Sequence, residues 1–249
     1  MKSAIVTGAS SGIGRAFAIR LANDGFSVTA VARNEAKLKE LTSQLGAKHS
    51  YIVADLSTQL GLERIQAALG EKKYDLLINN AGVGTQGKFT DIPYEKQMSM
   101  LQLNNHALVG LSYTFLKTAR LGDALVNVSS ALAFMPTPSM ALYCATKAFV
   151  TSLSESLWYE YKSKGIYVLG LCPGITETEF QVTAGGRKED LPKNLSQTPE
   201  FVVNIAMEAL SVRQKPTVLT SLKNHMFAGM SRMLPRKAIV AVTGKMMPS

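Results

Sequence analysis

Short apolar runs alternate with longer segments of helical period along most of the chain. The runs are apolar throughout, without polar residues at every second position, so we expect strands buried on both faces of a mostly parallel sheet. The predicted strands are 3–7, 27–32, 50–54, 76–79, 124–129, 166–172 and 217–220. This alternation predicts an α/β fold with a single doubly wound sheet and helices on both faces.

Capping and stop residues place the helices between these runs. Asn34, for example, can cap a helix that Gly46 then ends. The predicted helices are 12–24, 34–45, 57–69, 94–121 and 143–164. Pro235 should divide the C-terminal segment into two helical pieces.

Length and composition are typical of one large domain. The 249 residues are 46% hydrophobic and 18% charged, which excludes a disordered chain and supplies a core for a single domain over 1–249. Within it we predict a substrate loop at 173–198 and a helical tail at 221–249. Two cysteines exclude a disulfide framework, and no signal-like segment is visible, so we expect a cytoplasmic protein.

The net charge of +9 raises nucleic acid or an anionic membrane as partners. Basic residues do not interleave with aromatic ones, so we expect no nucleic-acid partner. After Glu208 there are seven basic residues and no acidic one. Three interpretations of this Met-rich tail stay open: a lid over an apolar substrate, an interfacial membrane helix, or a terminal helix packed on the core, which we favour over membrane contact.

Histidines give no sign of a metal site. His49, His106 and His225 are scattered, without cysteine or carboxylate at ligand spacing. We therefore expect no bound metal.

The first predicted strand runs into the turn Thr7-Gly8-Ala9-Ser10-Ser11-Gly12-Ile13-Gly14, which a helix follows. Glycine there lets the backbone approach a pyrophosphate, whose charge meets free N–H groups at the positive end of the helix. The spacing G-x-x-x-G-x-G is not that of the commonest dinucleotide fingerprint, and a tight turn without a ligand is the alternative.

The ends of the next strands indicate which dinucleotide would bind. Ala32 stands where an acidic residue would hold the ribose 2′-hydroxyl of NAD, and Arg33 follows it. A guanidinium suits a 2′-phosphate, so we expect NADP(H); an exposed arginine at a helix start is the alternative.

Polar and small residues follow the third and fourth strands. The carboxylate of Asp55, in Asp55-Leu56, can accept from an adenine amino group. In Asn79-Asn80-Ala81-Gly82, the small pair lets a ring lie against backbone, and the two asparagines either join the site or satisfy the turn.

The most specific pattern is Tyr143-Cys144-Ala145-Thr146-Lys147. Tyr143 and Lys147, at i and i+4, share one helix face, so the ammonium should lie near the phenol. A neighbouring cation together with a nicotinium ring favours phenolate, so we expect the pKa of Tyr143 to fall from its ordinary value of about 10 toward working pH. Ser130, at the end of the fifth strand, can hydrogen-bond a substrate carbonyl.

These motifs occur in order and at matching spacing: 7–14 (TGxxxGxG), 79–82 (NNAG), Asn104, Ser130, Tyr143 and Lys147 (YxxxK), and Pro173-Gly174. In this combination the chain resembles the short-chain dehydrogenase/reductase family over essentially its whole length. The resemblance implies a Rossmann-like fold and an NADP-preferring oxidoreductase that moves a hydride between nicotinamide and a carbonyl or alcohol carbon.

The resemblance also implies roles for the catalytic candidates. Tyr143 would be the general acid/base, Lys147 would bind the nicotinamide ribose and lower the pKa of Tyr143, and Ser130 would orient the carbonyl. Asn104 would hold a water in a proton relay through Lys147, with Asn105 as a competitor for that role.

Cofactor contacts are implied as well. The backbone of Ile175 and the hydroxyl of Thr178 would meet the carboxamide and a phosphate, with Thr176 as an alternative for the second contact. The complete expected set is Gly8, Ser10, Ser11, Gly12, Ile13, Gly14, Arg33, Asp55, Leu56, Asn80, Ala81, Gly82, Tyr143, Lys147, Pro173, Gly174, Ile175 and Thr178.

We therefore expect an NADP(H)-dependent carbonyl/alcohol oxidoreductase. An apolar ketone, aldehyde or secondary alcohol is the expected substrate, because Phe134, Met135, Met140, Ile175 and Phe180 suggest an apolar pocket. The alternative is a non-catalytic NADP-sensing protein on the same fold.

Cys144, Ala148 and Thr151 form a stripe of small residues at i, i+4 and i+7. Such a stripe permits close approach of another helix. The resemblance suggests a homodimer or homotetramer built in this way, and a solvated face is the alternative.

Overall fold

The computed structural model describes residues 1–185 and 196–246. Its strands are β1 Ser3–Thr7, β2 Ser27–Ala32, β3 Ser50–Val53, β4 Leu76–Asn79, β5 Ala124–Val128, β6 Tyr167–Cys172 and β7 Thr217–Leu219. They form one parallel sheet in the order β3-β2-β1-β4-β5-β6-β7. The predicted doubly wound, Rossmann-like α/β fold is confirmed. Residues 186–195 of the predicted substrate loop and 247–249 of the predicted tail lie outside the described residues.

The α-helices around the sheet are α1 Gly12–Asn23, α2 Glu35–Leu45, α3 Gln59–Glu71, α4 Tyr94–Leu101, α5 Leu108–Thr118, α6 Ala141–Lys162, α7 Phe180–Thr183, α8 Pro199–Val212, α9 Leu222–Met233 and α10 Arg236–Met246. The predicted helices 12–24, 34–45, 57–69 and 143–164 differ from α1, α2, α3 and α6 by at most two residues at either end, whereas α7 and α8 were not predicted. Asn34 caps α2 as expected, with its Oδ1 accepting from the Lys37 N–H at 3.0 Å. Helix α3 begins later than predicted because Thr58 is its cap: Thr58 Oγ1 accepts from Gly61 N–H at 3.1 Å.

The predicted continuous helix 94–121 is wrong in its interior. Between α4 and α5 the chain forms a π-helical segment, Gln102–Ala107, and α5 ends at Thr118. Asn104 and Asn105 both direct their amides toward Thr146 of α6. Consecutive residues of a regular α-helix point about 100° apart, so the wider π turn fits this arrangement.

Alternate strand residues pack on opposite faces of the sheet. Ala4 and Val6 of β1 belong to the buried cluster that includes Phe17 of α1 and Val202 of α8. Ile5 belongs to the cluster on the other face, which α3 and α5 supply. The chain leaves β1 toward the α1 face and β4 toward the α5 face, so a crevice opens between the carboxyl ends of these neighbouring strands.

The tail divides at Pro235 as predicted, between α9 and α10. The buried side chain of Ile239 packs α10 inward, and Thr243 Oγ1 donates to Pro136 O at 2.8 Å. Of the helices described, none combines the length and the apolar character needed to cross a bilayer.

The predicted stripe on α6 is not an exposed face. Cys144 and Thr151 are buried within the protomer, and the Thr151 hydroxyl is hydrogen-bonded to Ser129 at 2.7 Å. Only Ala148 of the three is exposed. The prediction failed because the sheet, not the size of the side chains, sets which face of α6 turns inward.

Candidate active site

The turn between β1 and α1 has the backbone that the glycine spacing predicts. Gly8 and Gly12 have φ angles of 66° and 54°, in the left-handed region that favours glycine. A Cβ at Gly12 would lie 2.9 Å from Thr178 Cγ2, and one at Gly14 would collide with the Gly8 carbonyl. Side chains are therefore excluded from a shallow backbone cradle in front of α1.

Thr7 and Asn80 hold this turn against the end of β4. Thr7 Oγ1 accepts from the N–H groups of Asn80 and Ala81 at 2.9 and 3.0 Å. Asn80 Nδ2 in return donates to Thr7 O at 2.9 Å. Asn80 thus satisfies the turn backbone, which was one of its two interpretations. Asn79 instead lies in the core, where its Nδ2 donates to Ser112 Oγ and Asn127 Oδ1 at 3.0 Å each.

A cleft of about 1290 Å³ runs along the carboxyl edge of the sheet. It brings together every predicted cofactor residue except Gly14, which lies beneath the turn against the Gly8 carbonyl. Three of the catalytic candidates, Ser130, Tyr143 and Lys147, line the same cleft. Asn104 is the exception, because its amide lies behind Gly82.

One end of the cleft carries Arg33 and Asp55. The guanidinium of Arg33 lies 3.8 Å from the Asp55 carboxylate, and 68% of the Arg33 side chain is exposed. Burial alone would raise the pKa of Asp55. Hydrogen bonds from the hydroxyl and N–H of Ser57, with the charge of Arg33, outweigh that effect and hold the pKa below its ordinary value.

A second ion pair crosses the cleft beside Arg33. Lys37, in the first turn of α2, places its Nζ 3.1 Å from an oxygen of Glu179, which precedes α7. Both residues line the cleft. This pair was not predicted, because no local sequence pattern relates two residues so distant in the chain.

The other end of the cleft holds the hydroxyls and the ammonium. Tyr143 and Lys147 are both buried, and Lys147 Nζ lies 5.9 Å from the centroid of the Tyr143 ring. Lys147 Nζ also donates to Val128 O at 2.9 Å. Ser130 Oγ accepts from Leu132 N–H at 3.1 Å, and its hydroxyl acts on the Tyr143 phenol by lowering the pKa of that group. Ser130, Tyr143 and Lys147 therefore lie together at one end of the cleft, as predicted.

The low pKa of Tyr143 was expected with a nicotinium ring beside it, and in the protein without cofactor the shift is in the opposite direction. Burial raises the pKa of Tyr143 well above its ordinary value, and the hydroxyl of Ser130 opposes this only in part. Burial also lowers the pKa of Lys147, to about 8. Desolvation therefore outweighs the influence of the neighbouring cation on the phenol.

Asn104 is clamped between two segments. Its Oδ1 accepts from Val83 N–H at 3.0 Å, and its Nδ2 donates to Val83 O at 2.9 Å and Thr146 Oγ1 at 3.1 Å. Neighbouring Asn105 donates to Thr146 O at 3.1 Å, and its buried Oδ1 has no hydrogen-bond partner within the described residues. Both asparagines thus stay candidates for the water relay.

An apolar wall borders Tyr143. Met135, Met140, Ile175 and Phe180 line the cleft as predicted, with the Phe180 and Tyr143 ring centroids 5.5 Å apart. Phe134 is a correction: it ends the short 3₁₀ turn Ala131–Phe134 and is not among the lining residues.

Helix α9 adds Leu222, Asn224 and Phe227 to the lining of the cleft. A lid over the substrate was one of the three interpretations of this tail, but none of its residues was among the predicted site residues. Asn224 Nδ2 is buried without a hydrogen-bond partner in the described part of the chain, and it lies against Gly174. No local pattern indicates these lining residues, because their position depends on how the tail folds back over the 3₁₀ turn after β5.

The family model for short chain dehydrogenases matches residues 2–188. This chain belongs to the short-chain dehydrogenase family. Members of this family are oxidoreductases that act on CH–OH and C=O groups with a nicotinamide cofactor. The glycine cradle of this chain, the adjacent Arg33 and the buried Ser130 and Tyr143 hydroxyls fit such a cofactor at opposite ends of one cleft.

Known members of the short-chain dehydrogenase family resemble this chain over most of its length. The probable oxidoreductase EphD of Mycobacterium tuberculosis is 30% identical over an alignment of 256 positions, which covers 93% of this chain and 43% of EphD. The chain thus spans less than half the length of that relative. A short-chain dehydrogenase from Sphingobium yanoikuyae in complex with NADPH is 30% identical, with a TM-score of 0.84 and 94% coverage of both chains. The bulky-bulky ketone specific alcohol dehydrogenase from Comamonas testosteroni is 28% identical, with a TM-score of 0.78 and coverage of 94% and 92%.

Proposed function

We propose that this short-chain dehydrogenase is an NADP(H)-dependent oxidoreductase that interconverts an apolar ketone or aldehyde with the corresponding alcohol. The observation that carries the proposal is the single cleft with Ser130, Tyr143 and Lys147 at one end and Arg33 at the other. NADP(H) is favoured over NAD(H) because Arg33, without an acid in the preceding position, offers a cation to a 2′-phosphate. The NADPH complex of the Sphingobium relative supports this choice.

Three side chains around the carbonyl have separate roles in the proposed reaction. When bound, the nicotinamide supplies hydride-transfer chemistry. Ser130 holds the carbonyl oxygen by a hydrogen bond, and Tyr143 donates its phenolic proton to that oxygen during reduction and recovers it in the reverse direction. The raised pKa of Tyr143 keeps the phenol protonated at neutral pH, as a proton donor requires. The ammonium of Lys147 stabilises the phenolate that the transfer leaves.

The substrate class follows from the wall of the cleft. Met140 and Phe180 pack beside Tyr143. With Met135 and Ile175 they line the cleft with apolar surface that offers few partners to a sugar hydroxyl. A bulky apolar carbonyl fits this environment, and the ketone specificity of the Comamonas relative supports it.

We also propose a cytoplasmic homodimer or homotetramer. Support comes from the exposed side of α6, where Ala141, Ala145 and Ala148 leave a flat surface next to the exposed ring of Phe149. This side replaces the stripe predicted from the sequence.

Replacing Tyr143 with Phe tests the catalytic role. We expect Tyr143→Phe to lower kcat by a factor of about 100 or more, since it removes the acid/base group. NADPH binding, measured by fluorescence titration, should change little. Turnover is followed as loss of NADPH absorbance with a panel of bulky apolar ketones and aldehydes.

Tyr159→Phe is the matched control, because Tyr159 lies on the same helix with an exposed side chain. It should leave kcat unchanged. Undiminished turnover by Tyr143→Phe, or the absence of turnover by the wild type across the panel, would contradict the proposed function.

A further inference from the structure

Helix α9 has its faces reversed relative to an ordinary surface helix. The inward face carries Asn224, Ala228 and Ser231, which are small or polar, and the last two are buried. The outward face is a stripe of large apolar side chains at i, i+4, i+8 and i+11: Leu222, Met226, Met230 and Met233. These positions lie within about 80° of one another around a helix of 3.6 residues per turn.

This outward stripe is strongly exposed. Leu222 and Met233 expose 77% and 87% of their surfaces, and Met226 and Met230 more than half. Exposed Leu234 continues the apolar surface at the junction with α10. A contiguous apolar patch of this kind marks an interaction surface, because isolated exposed apolar residues would not fall on one helix face.

The charge next to the stripe selects the partner. Arg236, Lys237 and Lys245 of α10 are exposed, and the sequence from residue 209 to 249 contains no carboxylate. A second copy docking face to face would bring these cations toward one another without acids from the same segment to neutralise them. An anionic surface would meet both the apolar stripe and the cations favourably.

We propose that the outward face of α9, with the flanking cations of α10, docks on an anionic lipid bilayer without crossing it. Leu222 and Phe227 are exposed and also line the cleft, so the docked face adjoins the cleft mouth. An apolar substrate dissolved in the bilayer would then enter the cleft with little exposure to water; this consequence rests on the proposed function, whereas the docking does not.

Sedimentation of the full chain with vesicles tests the docking. Vesicles of phosphatidylcholine with phosphatidylglycerol should bind the protein, and vesicles of phosphatidylcholine alone should bind it at least tenfold more weakly (about 1.4 kcal/mol). The triple variant Met226→Gln, Met230→Gln and Met233→Gln removes three of the four apolar side chains of the stripe. Glutamine is chosen because its helix propensity is close to that of methionine. We expect at least a tenfold loss of partitioning.

The matched apolar control changes three exposed side chains on α3, α4 and α6: Leu60→Gln, Tyr94→Gln and Tyr159→Gln. The charge variant is Lys237→Glu with Lys245→Glu, and its control is Lys96→Glu with Lys117→Glu, which changes net charge equally at exposed positions. Only the tail variants should lose binding.

Three outcomes overturn the proposal. The first is no sedimentation with anionic vesicles at low salt. The second is an equal loss in tail and control variants, which would indicate nonspecific attraction to a protein of net charge +9. The third is a triple methionine variant that changes the oligomeric state in analytical ultracentrifugation and leaves vesicle binding intact, which would make the stripe a contact between copies.

Discussion

Arg33 lies at the carboxyl end of β2, where its exposed guanidinium is close to Asp55 without forming a tight ion pair with it. At 3.8 Å the pair is a loose, solvent-screened contact. The cation is thus available to a 2′-phosphate, and such charge-assisted hydrogen bonds contribute roughly 1.5–3 kcal/mol.

Arg33→Ala should therefore weaken NADPH binding by about tenfold, the low end of that range because the site is exposed. NADH lacks the 2′-phosphate, so its affinity should change little and serves as the internal control. Titration of cofactor fluorescence against each protein gives both constants. Equal losses for the two cofactors would show that Arg33 does not contact the 2′-phosphate.

The lowered pKa of Lys147 makes the stability of the cofactor-free protein depend on pH. Burial lowers the pKa of Lys147 from 10.5 to about 8 in the folded state. Between those values the unfolded chain binds more protons than the folded one, so this group makes folding more favourable as the pH rises through that window. Below pH of about 8 the group is charged in both states, and its burial destabilises the fold in full.

Lys147→Met removes this titration. The free energy of unfolding of the variant, relative to wild type, should fall between pH 8 and 10 by up to about 1.4 kcal/mol per pH unit. Urea unfolding of the cofactor-free proteins measures the difference. Cys172, whose pKa burial raises to about 11, titrates in both proteins, and most of its contribution cancels because the charge of Lys147 is only a minor cause of that shift. The matched control is Lys162→Met at an exposed position on α6, and a pH-independent difference for Lys147→Met would contradict the prediction.

At the scale of elements, the Lys37–Glu179 pair ties the start of α2 to the segment after β6 across the cofactor cleft. Glu179 forms an ion pair with Lys37 and places a negative charge where a phosphate would approach. Lys37→Met should weaken NADPH binding by roughly fivefold, and Glu179→Gln should strengthen it, because the carboxylate no longer competes for Lys37.

Lys39→Met is the control for Lys37→Met. Lys39 is on the same helix, is paired with Glu35 at 3.0 Å and is not part of the cleft lining. Isothermal titration calorimetry with NADPH compares the variants. If Lys37 and Lys39 variants lose affinity equally, the effect is one of net charge and not of position.

Helices and strands that depend on a local sequence pattern could be predicted, and features that depend on packing between distant segments could not. Strands buried on both faces appear in the sequence as uninterrupted apolar runs. Pro235 ends a helix whatever the tail packs against. The π-helical turn around Asn104 depends on contacts with Val83 and Thr146, which no local pattern records. The prediction that Cys144, Ala148 and Thr151 form an exposed contact face of α6 was wrong for the same reason.

The candidate site divides in the same way. Ser130, Tyr143 and Lys147 could be predicted to converge, because strand ends share an edge and i, i+4 residues share a helix face. The lining from α9 could not, because it depends on how the tail folds back over the 3₁₀ turn after β5.

At the scale of the whole molecule, the cleft collects residues from the carboxyl ends of all seven described strands. The residues that follow β1 to β7 in this order are Gly8, Arg33, Asp55, Gly82, Ser130, Gly174 and Ser221. A ligand that fills this cleft contacts both halves of the doubly wound sheet. Its binding energy is therefore added to the stability of the entire fold and not to one loop.

NADPH should accordingly raise the melting temperature of the full chain. At a concentration about 100 times its Kd, binding adds about 2.7 kcal/mol, which corresponds to roughly 5–10 °C for a protein of this size. NADH at the same concentration should raise it less, and Arg33→Ala should reduce the NADPH shift to that of NADH. Differential scanning fluorimetry measures all three. Equal shifts for both cofactors in the wild type would argue that the end of the cleft at Arg33 does not distinguish them, whatever the chemistry at Tyr143.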